Sequence, residues 1–366
     1  MLKDIHIQNY RGIKDLHIKD FKRINLLVGD NNSGKTSILE AVTYVANHTI
    51  VPFFNFENVR EIGMFADLSK INLQEQKIWD NLEHLVYEKN IKEGFVIDGK
   101  FCSESSLERS VKLEASFSNQ AENFSTAQLL NSDRVIINQN QINSFIASYT
   151  TSEKTSTKLG FSRNGKYNEA SNSSFSIPIA IVPSDTTKSY DLVPPMERVA
   201  KENGEIFFSN LAQKIDPKIK AIKTAGSQIL ADIGKISIPL KYMGDGLISV
   251  LNILLKTREV KNGILLIDEI ENGLHWKTQK VLWKALLMAT KENNIQIIAT
   301  THSLDTIKYL SEAYEEYLNE ASKEEKNLLG EDEARVFSLY KKDKNFVEKI
   351  DSQSLKTMIT HHYEIR

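Results

Sequence analysis

The side chains best suited to chemistry cluster in Gly29-Asp30-Asn31-Asn32-Ser33-Gly34-Lys35-Thr36-Ser37. Their spacing is G-x-x-x-x-G-K-[ST], that of a phosphate-binding loop. Gly29 and Gly34 let the backbone curl close around a phosphate chain. The N–H groups of the loop, through Asn31, Asn32, Ser33 and on to Ser37, then face the anion with the N-terminus of the next helix. Lys35 is placed to reach the β- and γ-phosphates, and the Thr36 hydroxyl to ligate Mg²⁺.

Asp268 and Glu269 follow the apolar run Ile264-Leu265-Leu266-Ile267. Carboxylates at the C-terminal end of a buried strand lie where open α/β sheets bind ligands. Asp268 suits Mg²⁺, directly or through its water. Glu269 is placed to orient and deprotonate an attacking water. Taken alone, the two acids can also be read as a solvated cap of the turn before Asn272-Gly273; the upstream phosphate loop strengthens the chemical reading. His302 follows a second buried run, Ile297 to Thr301. A neutral imidazole there can donate to a γ-phosphate oxygen, whereas a lone histidine would cap a helix or fill a core. Met243-Gly244-Asp245-Gly246 precedes an apolar helix. Either Asp245 N-caps that helix, or Gly244, Asp245 and Gly246 offer backbone amides to a phosphate held by a second subunit.

These residues need elements to carry them. Leu2 to Tyr10 alternates apolar and polar, Asp15 to Lys19 reads as a second strand, and Asn25 to Val28 feeds the loop. Ser37 to Val45 has apolar residues at helical spacing. From Ile50 to Lys235 the pattern loosens. Ile71 to Lys89 reads as a helix, Gly94 to Phe101 and Val111 to Phe117 as strands, and Val135 to Asn138 as a short strand. Asn140 to Ser174, rich in Ser, Thr, Asn and Gln, reads as a long surface loop or disordered insertion. Ile177 to Val182 reads as a buried strand, with Pro178 and Pro183 placing it near an edge or an end. Pro195 to Ile215 reads as one helix. Beyond Lys235 come a strand at Ile236 to Leu240, a helix at Gly246 to Thr257, and a strand at Gly263 to Ile267. A helix at Trp276 to Lys291, a strand at Ile295 to Thr300 and a helix at Asp305 to Leu329 follow. A hairpin at Arg335 to Ile350 and a closing helix at Ser352 to His361 end the chain. Apolar strands alternating with helices predict an α/β fold with a parallel sheet covered on both faces.

Bulk properties narrow the classes. The chain has 366 residues, 41% hydrophobic and 26% charged, with a net charge of −2. Any nucleic-acid contact must therefore come from a local patch. The candidates are Lys14/Lys19/Lys22/Arg23, Lys214/Lys218/Lys220/Lys223 and Lys341/Lys342/Lys344, each also readable as a solvated face. The single cysteine, Cys102, excludes an intramolecular disulfide. No run approaches the ~18 apolar residues of a membrane span, and no signal peptide follows Met1. The expectation is a cytoplasmic protein.

Together, Asn9-Tyr10-Arg11-Gly12, Gly29 to Thr36, Gly244-Asp245-Gly246, Leu266 to His275 and Thr300-Thr301-His302-Ser303 resemble the ABC-type ATPase heads of the RecF/SMC class. The nearest likeness is to the overcoming-lysogenization-defect (OLD)-like ATPases of bacterial defence modules. The resemblance covers about 1–46 and 237–366. It implies an ABC-type P-loop NTPase head built from 1–49 and 235–366, with a mixed sheet and flanking helices. A helical and strand insertion fills 50–234, with its polar loop at about 140–174. It further implies ATP and Mg²⁺ as cofactors, Walker A at Gly29 to Thr36, and Walker B at Asp268 with catalytic Glu269. A signature segment at Gly244 to Gly246, a D-loop at Glu271 to His275, a switch His302 and an Arg11 near the nucleotide complete the set. Gln74, Gln76 and Gln139 are all candidates for the Q-loop glutamine. The signature lacks the Ser-Gly-Gly of transporter heads, and the stretch after His302 leaves no room for the Toprim nuclease domain of full OLD nucleases. The expectation is a homo-oligomeric ATPase, with sites shared between subunits, that switches a separately encoded effector (nuclease or toxin) in phage defence. The alternative is a RecF/SMC-like repair or recombination ATPase that binds DNA directly.

Overall fold

The computed structural model describes residues 1–46, 84–90, 92–102, 108–118, 144–152, 156–162, 165–169, 177–184, 192–320, 332–341 and 345–351. Strands β1 (Leu2–Tyr10), β2 (Ile13–Lys19) and β3 (Ile24–Gly29) open the chain, and helix α1 (Lys35–Ala46) follows the loop. Next come β4 (Phe95–Cys102), β5 (Glu108–Ser118), β6 (Ser144–Thr151), β7 (Ser156–Ser162), β8 (Gly165–Glu169) and β9 (Ile179–Val182). Helices α2 (Val193–Lys201) and α3 (Glu205–Ile215) lead to β10 (Ala221–Ala225), β11 (Gln228–Asp232) and β12 (Ser237–Pro239). The remainder is α4 (Asp245–Glu259), β13 (Ile264–Ile267), α5 (Trp276–Glu292), β14 (Gln296–Thr301), α6 (Leu304–Glu320), β15 (Ala334–Lys341) and β16 (Asn345–Asp351).

The site-bearing layer is a six-stranded sheet of order β16-β15-β3-β14-β13-β9. Its pairings from β15 to β9 are parallel, and β16 adds an antiparallel edge. Parallel strands covered on both faces must be apolar throughout, and Ile264 to Ile267 are all buried. Alternate residues feed opposite cores. Leu26, Val28, Leu265, Ile267, Ile297 and Ala299 pack with the helices of one side. Leu27, Leu266, Ile298 and Phe337 pack with α1 and the second sheet.

That second sheet is antiparallel, of order β2-β1-β4-β5-β6-β7-β8, and its inner face closes over α1. A small sheet, β10-β11-β12, lies beside α3. The middle stretch is thus woven into both large sheets. β4 pairs with β1 and β9 pairs with β13.

The polar stretch expected as a loop at 140–174 instead forms β6, β7 and β8. Its composition hides a period of two: Phe145, Ala147 and Tyr149 are buried while the residues between them face outward. Ladder pairing with β5 then satisfies the backbone. The single helix expected from Pro195 to Ile215 is two. Asn203 turns left-handed (φ 57°), and a Cβ at Gly204 would stand 2.9 Å from Val199 Cγ1. Residues 84–89, expected to end a helix, hold a turn, a bridge from Val86 to Tyr10 and a short 3₁₀ turn. The rest of that helix, the strand at Val135 to Asn138, the closing helix, the far end of the Asp305 helix, and Gln74, Gln76 and Gln139 lie outside the described residues. Among the described residues no helix is long and apolar enough to cross a membrane.

Candidate functional site

Three parallel strands end together and deliver the chemistry. β3 runs into the loop, β13 into Asp268 and Glu269, and β14 into His302. Gly29 (φ 152°) and Gly34 (φ 98°) take backbone conformations that favour glycine. A Cβ at Gly29 would sit 2.5 Å from the Leu339 carbonyl of β15, so the neighbouring strand also demands glycine. Asn32 turns left-handed (φ 63°), and the Ser33 N–H donates to Asp30 O at 3.2 Å. Asn31 lines the cleft, and Ser37 lies in the first turn of α1.

Lys35 Nζ donates to Gly29 O (2.7 Å) and Asp30 O (2.8 Å), and lies 3.3 Å from His302 Nδ1. Burial pushes its pKa below the usual lysine value, with Asp268, Glu269 and Asp30 pulling it back up. Thr36 Oγ1 stands 3.2 Å from both oxygens of Asp268. Thr300 Oγ1 donates to Asp268 Oδ1 (2.7 Å) and accepts from the Glu269 N–H (2.7 Å). Glu269 is left-handed (φ 50°), which ends the strand and turns its side chain outward. Its Oε1 lies 3.5 Å from His302 Nε2. Because an ammonium only donates, His302 Nδ1 is placed to accept from Lys35, an arrangement that would put the ring proton on Nε2, on the side of Glu269. Glu271 Oε1 accepts from the His302 N–H at 2.7 Å, a contact whose sequence signal is an acid within the same turn as Glu269.

A cleft of about 860 Å³ opens over these groups. Among the described residues its lining includes Asp30, Glu269, Glu271, Asp305 and His302 but no lysine or arginine, with Lys35 set behind. Hard oxygen donors at Thr36 and Asp268 beside four carboxylates fit a divalent cation accompanying a polyphosphate.

Two further groups of the sequence reading stand outside this cleft's lining. Gly244 to Gly246 do not line the cleft. Gly244 (φ 95°) is the N-cap residue of α4 and Asp245 its first helical residue, so Asp245 is not the cap. Gly246 approaches the D-loop, where an added Cβ would be 3.2 Å from Gly273 O. Arg11, also outside the cleft lining, is held by Glu40 of α1 (Nε to Oε2, 2.6 Å) and by Tyr10 OH (3.2 Å). Burial opposes its charge, but Tyr10 and Glu40 outweigh that and hold its pKa above the ordinary value. Burial drives the Tyr10 hydroxyl far up, so it stays protonated and donates to Glu40 at 2.9 Å. The basic patches are partly neutralised: Lys22 pairs with Asp20 and Asp332, and Lys223 with Asp232.

A family model described as "AAA domain, putative AbiEii toxin, Type IV TA system" matches residues 24–307. The chain belongs to this AAA-domain family. The match takes in β3, the phosphate loop, Asp268, Glu269 and His302 of this AAA-domain chain. A Helicobacter pylori protein named "ATP/GTP phosphatase" is 24% identical over 342 residues, 86% of this chain and 89% of the relative. The DNA replication and repair protein RecF of Clostridium beijerinckii is 47% identical over 45 residues, 12% of each chain. Among solved structures, an SMC head bound to the C-winged helix domain of ScpA aligns over 96% of this chain and 98% of that one, with TM-score 0.50 and 12% identity. The fold of this AAA-domain chain is that of an ABC-type P-loop ATPase head.

Proposed function

We propose that the chain hydrolyses ATP with Mg²⁺ at the cleft between the phosphate loop, Glu269 and His302. One observation carries this reading: Lys35, the Thr36–Asp268 pair and the Glu269–His302 pair converge at one sheet edge. Lys35 exchanges its present acceptors, the Gly29 and Asp30 carbonyls, for phosphate oxygens. Thr36 and Asp268 would hold Mg²⁺, which when bound neutralises phosphate charge. Glu269 takes the proton from the attacking water. His302, with its proton on Nε2, fixes the Glu269 carboxylate and is carried on β14 to the γ-phosphate end. Lys35→Ala should abolish nucleotide binding. Glu269→Gln should bind ATP and turn over at least ~100-fold more slowly, the scale of a lost general base. Near-normal steady-state turnover in Glu269→Gln would sink the assignment.

The competent site is shared between two copies of the chain. Gly244 to Gly246 lie outside their own cleft, and Tyr242 and Trp276 stay exposed, each close in sequence to one of the touching pair Gly246 and Gly273. One copy supplies the loop and Walker B, the other this segment. The assembled ATPase switches a separately encoded effector in bacterial defence, as the OLD-like resemblance implies. Among the described residues no group of three His, Cys, Asp or Glu side chains is placed to hold a metal ion. We expect ATP turnover without cleavage of DNA or RNA by the isolated protein. The second reading, a DNA-clamping ATPase, draws on the short match to RecF. Salt-dependent DNA affinity that rises with ATP would favour it; toxicity that needs a second protein would favour the first.

A further inference from the structure

We propose that Thr300 is the positioning residue that sets both Asp268 and Glu269 for turnover, an inference that rests on the ATPase reading above. Thr300 is fully buried near the C-terminal end of β14, two residues before His302. Its hydroxyl has one proton, and that proton goes to Asp268 Oδ1 at 2.7 Å, because a carboxylate can only accept. The oxygen is then free to accept the Glu269 N–H, also at 2.7 Å. Its backbone carbonyl accepts the next N–H, that of Ile270, at 3.1 Å. One residue thus holds three consecutive residues of the neighbouring strand's exit.

This grip answers a specific problem. β13 ends at Ile267, and the Asp268 N–H is still paired, with Val182 O. Glu269 then turns left-handed and leaves the ladder, which orphans its N–H in a part-buried place. The Thr300 hydroxyl supplies the missing acceptor and so stabilises the turn that aims Glu269 at the cleft. The same hydroxyl fixes the rotation of the Asp268 carboxylate, leaving Thr36 to meet both oxygens. Serine or threonine satisfies both roles; valine, of the same shape, satisfies neither. Since His302 leaves the same strand, Thr300 ties both acids to the strand that carries the histidine.

The test compares Thr300→Val, Thr300→Ser and Thr300→Ala with the wild-type chain, using Glu269→Gln as a reference. Thr300→Val should lower kcat ~10–100-fold, the range seen when outer hydrogen-bond partners of metal ligands are lost. The dissociation constant for ATP without metal should change less than twofold, since the Lys35 loop is untouched. In the nucleotide-free protein, amide hydrogen exchange of the peptide spanning 268–270 should quicken. Thr300→Ser should restore kcat and exchange towards wild type. The serine and alanine variants lack the same methyl group, so a kcat gap between them reports the hydroxyl alone even where valine fails to fold. Serine and alanine variants equal in kcat and exchange, or a folded valine variant within twofold of wild type, would overturn the proposal. If Glu269→Gln also turns over normally, the ATPase reading fails; if it is inactive while the Thr300 variants are normal, only this inference fails.

Discussion

Single residues decide whether this site is charged, aimed and anchored. Lys35 has its pKa lowered from 10.5 by burial, so its charge is lost at lower pH than that of a free lysine. Phosphate beside it restores the charge, so ATP binding takes up protons in the alkaline range. Affinity should fall as pH rises through the lowered Lys35 value, and calorimetry in buffers of different ionisation enthalpy should register the uptake. Lys35→Arg, charged throughout, should remove the pH dependence. The stability sign follows as well. The cost of a buried charge on Lys35 is present below its folded pKa and fades as pH approaches 10.5. Arg11 carries a different load. Its partner Glu40 is 3% exposed, so Arg11→Ala takes the cation away from a buried carboxylate and should cost about 3 kcal/mol in thermal unfolding. ATP affinity of the folded variant should stay near wild type; a large loss would show that Arg11 reaches the nucleotide after all.

At the scale of elements, the loop is shaped by the strand beside it as much as by its own residues. β15 places the Leu339 carbonyl against Gly29, so Gly29→Ala meets both a close backbone atom and a φ of 152°. We expect a loss of about 1–3 kcal/mol in stability together with at least tenfold weaker ATP binding, read by titration calorimetry. β13 is equally intolerant. Leu266 is fully buried in the core shared with α1, and Leu266→Ala should cost about 2–5 kcal/mol. The loss would loosen the strand exit that carries Asp268 and Glu269, so activity should fall more steeply with temperature than in the wild type.

For the whole molecule, the decisive feature is that α4 starts away from its own cleft. If two copies share each site, ATP-loaded Glu269→Gln protein should gain mass in light scattering, and specific turnover should rise with protein concentration. Gly246 is a poor probe, because a side chain there meets Gly273 of its own D-loop at 3.2 Å. Asp245→Trp is better, since Asp245 is exposed at the first turn of α4. It should abolish both effects while leaving ATP binding to single copies intact. Turnover independent of concentration, with Asp245→Trp fully active, would rule out a shared site.

The sequence by itself determined the loop, the two acids, the histidine and the strands that end in them. Each rests on a local rule: a fixed spacing for phosphate, or an apolar run closed by polar residues. β4 and β5 were legible as strands, and Pro178 and Pro183 put β9 near an edge or an end. Tertiary structure alone decided what depends on neighbours distant in the chain. Ser144 to Glu169 reads as a polar loop until β5 offers a ladder, because composition records average polarity while pairing needs only one apolar face. That Arg11 is paired with Glu40 of α1 is visible only in the fold. Thr300 looks like one more strand residue until β13 turns out beside it and leaves a backbone N–H needing an acceptor. A hydroxyl in a buried aliphatic strand is a visible anomaly in the sequence, but the groups it satisfies become identifiable only when the strands lie side by side.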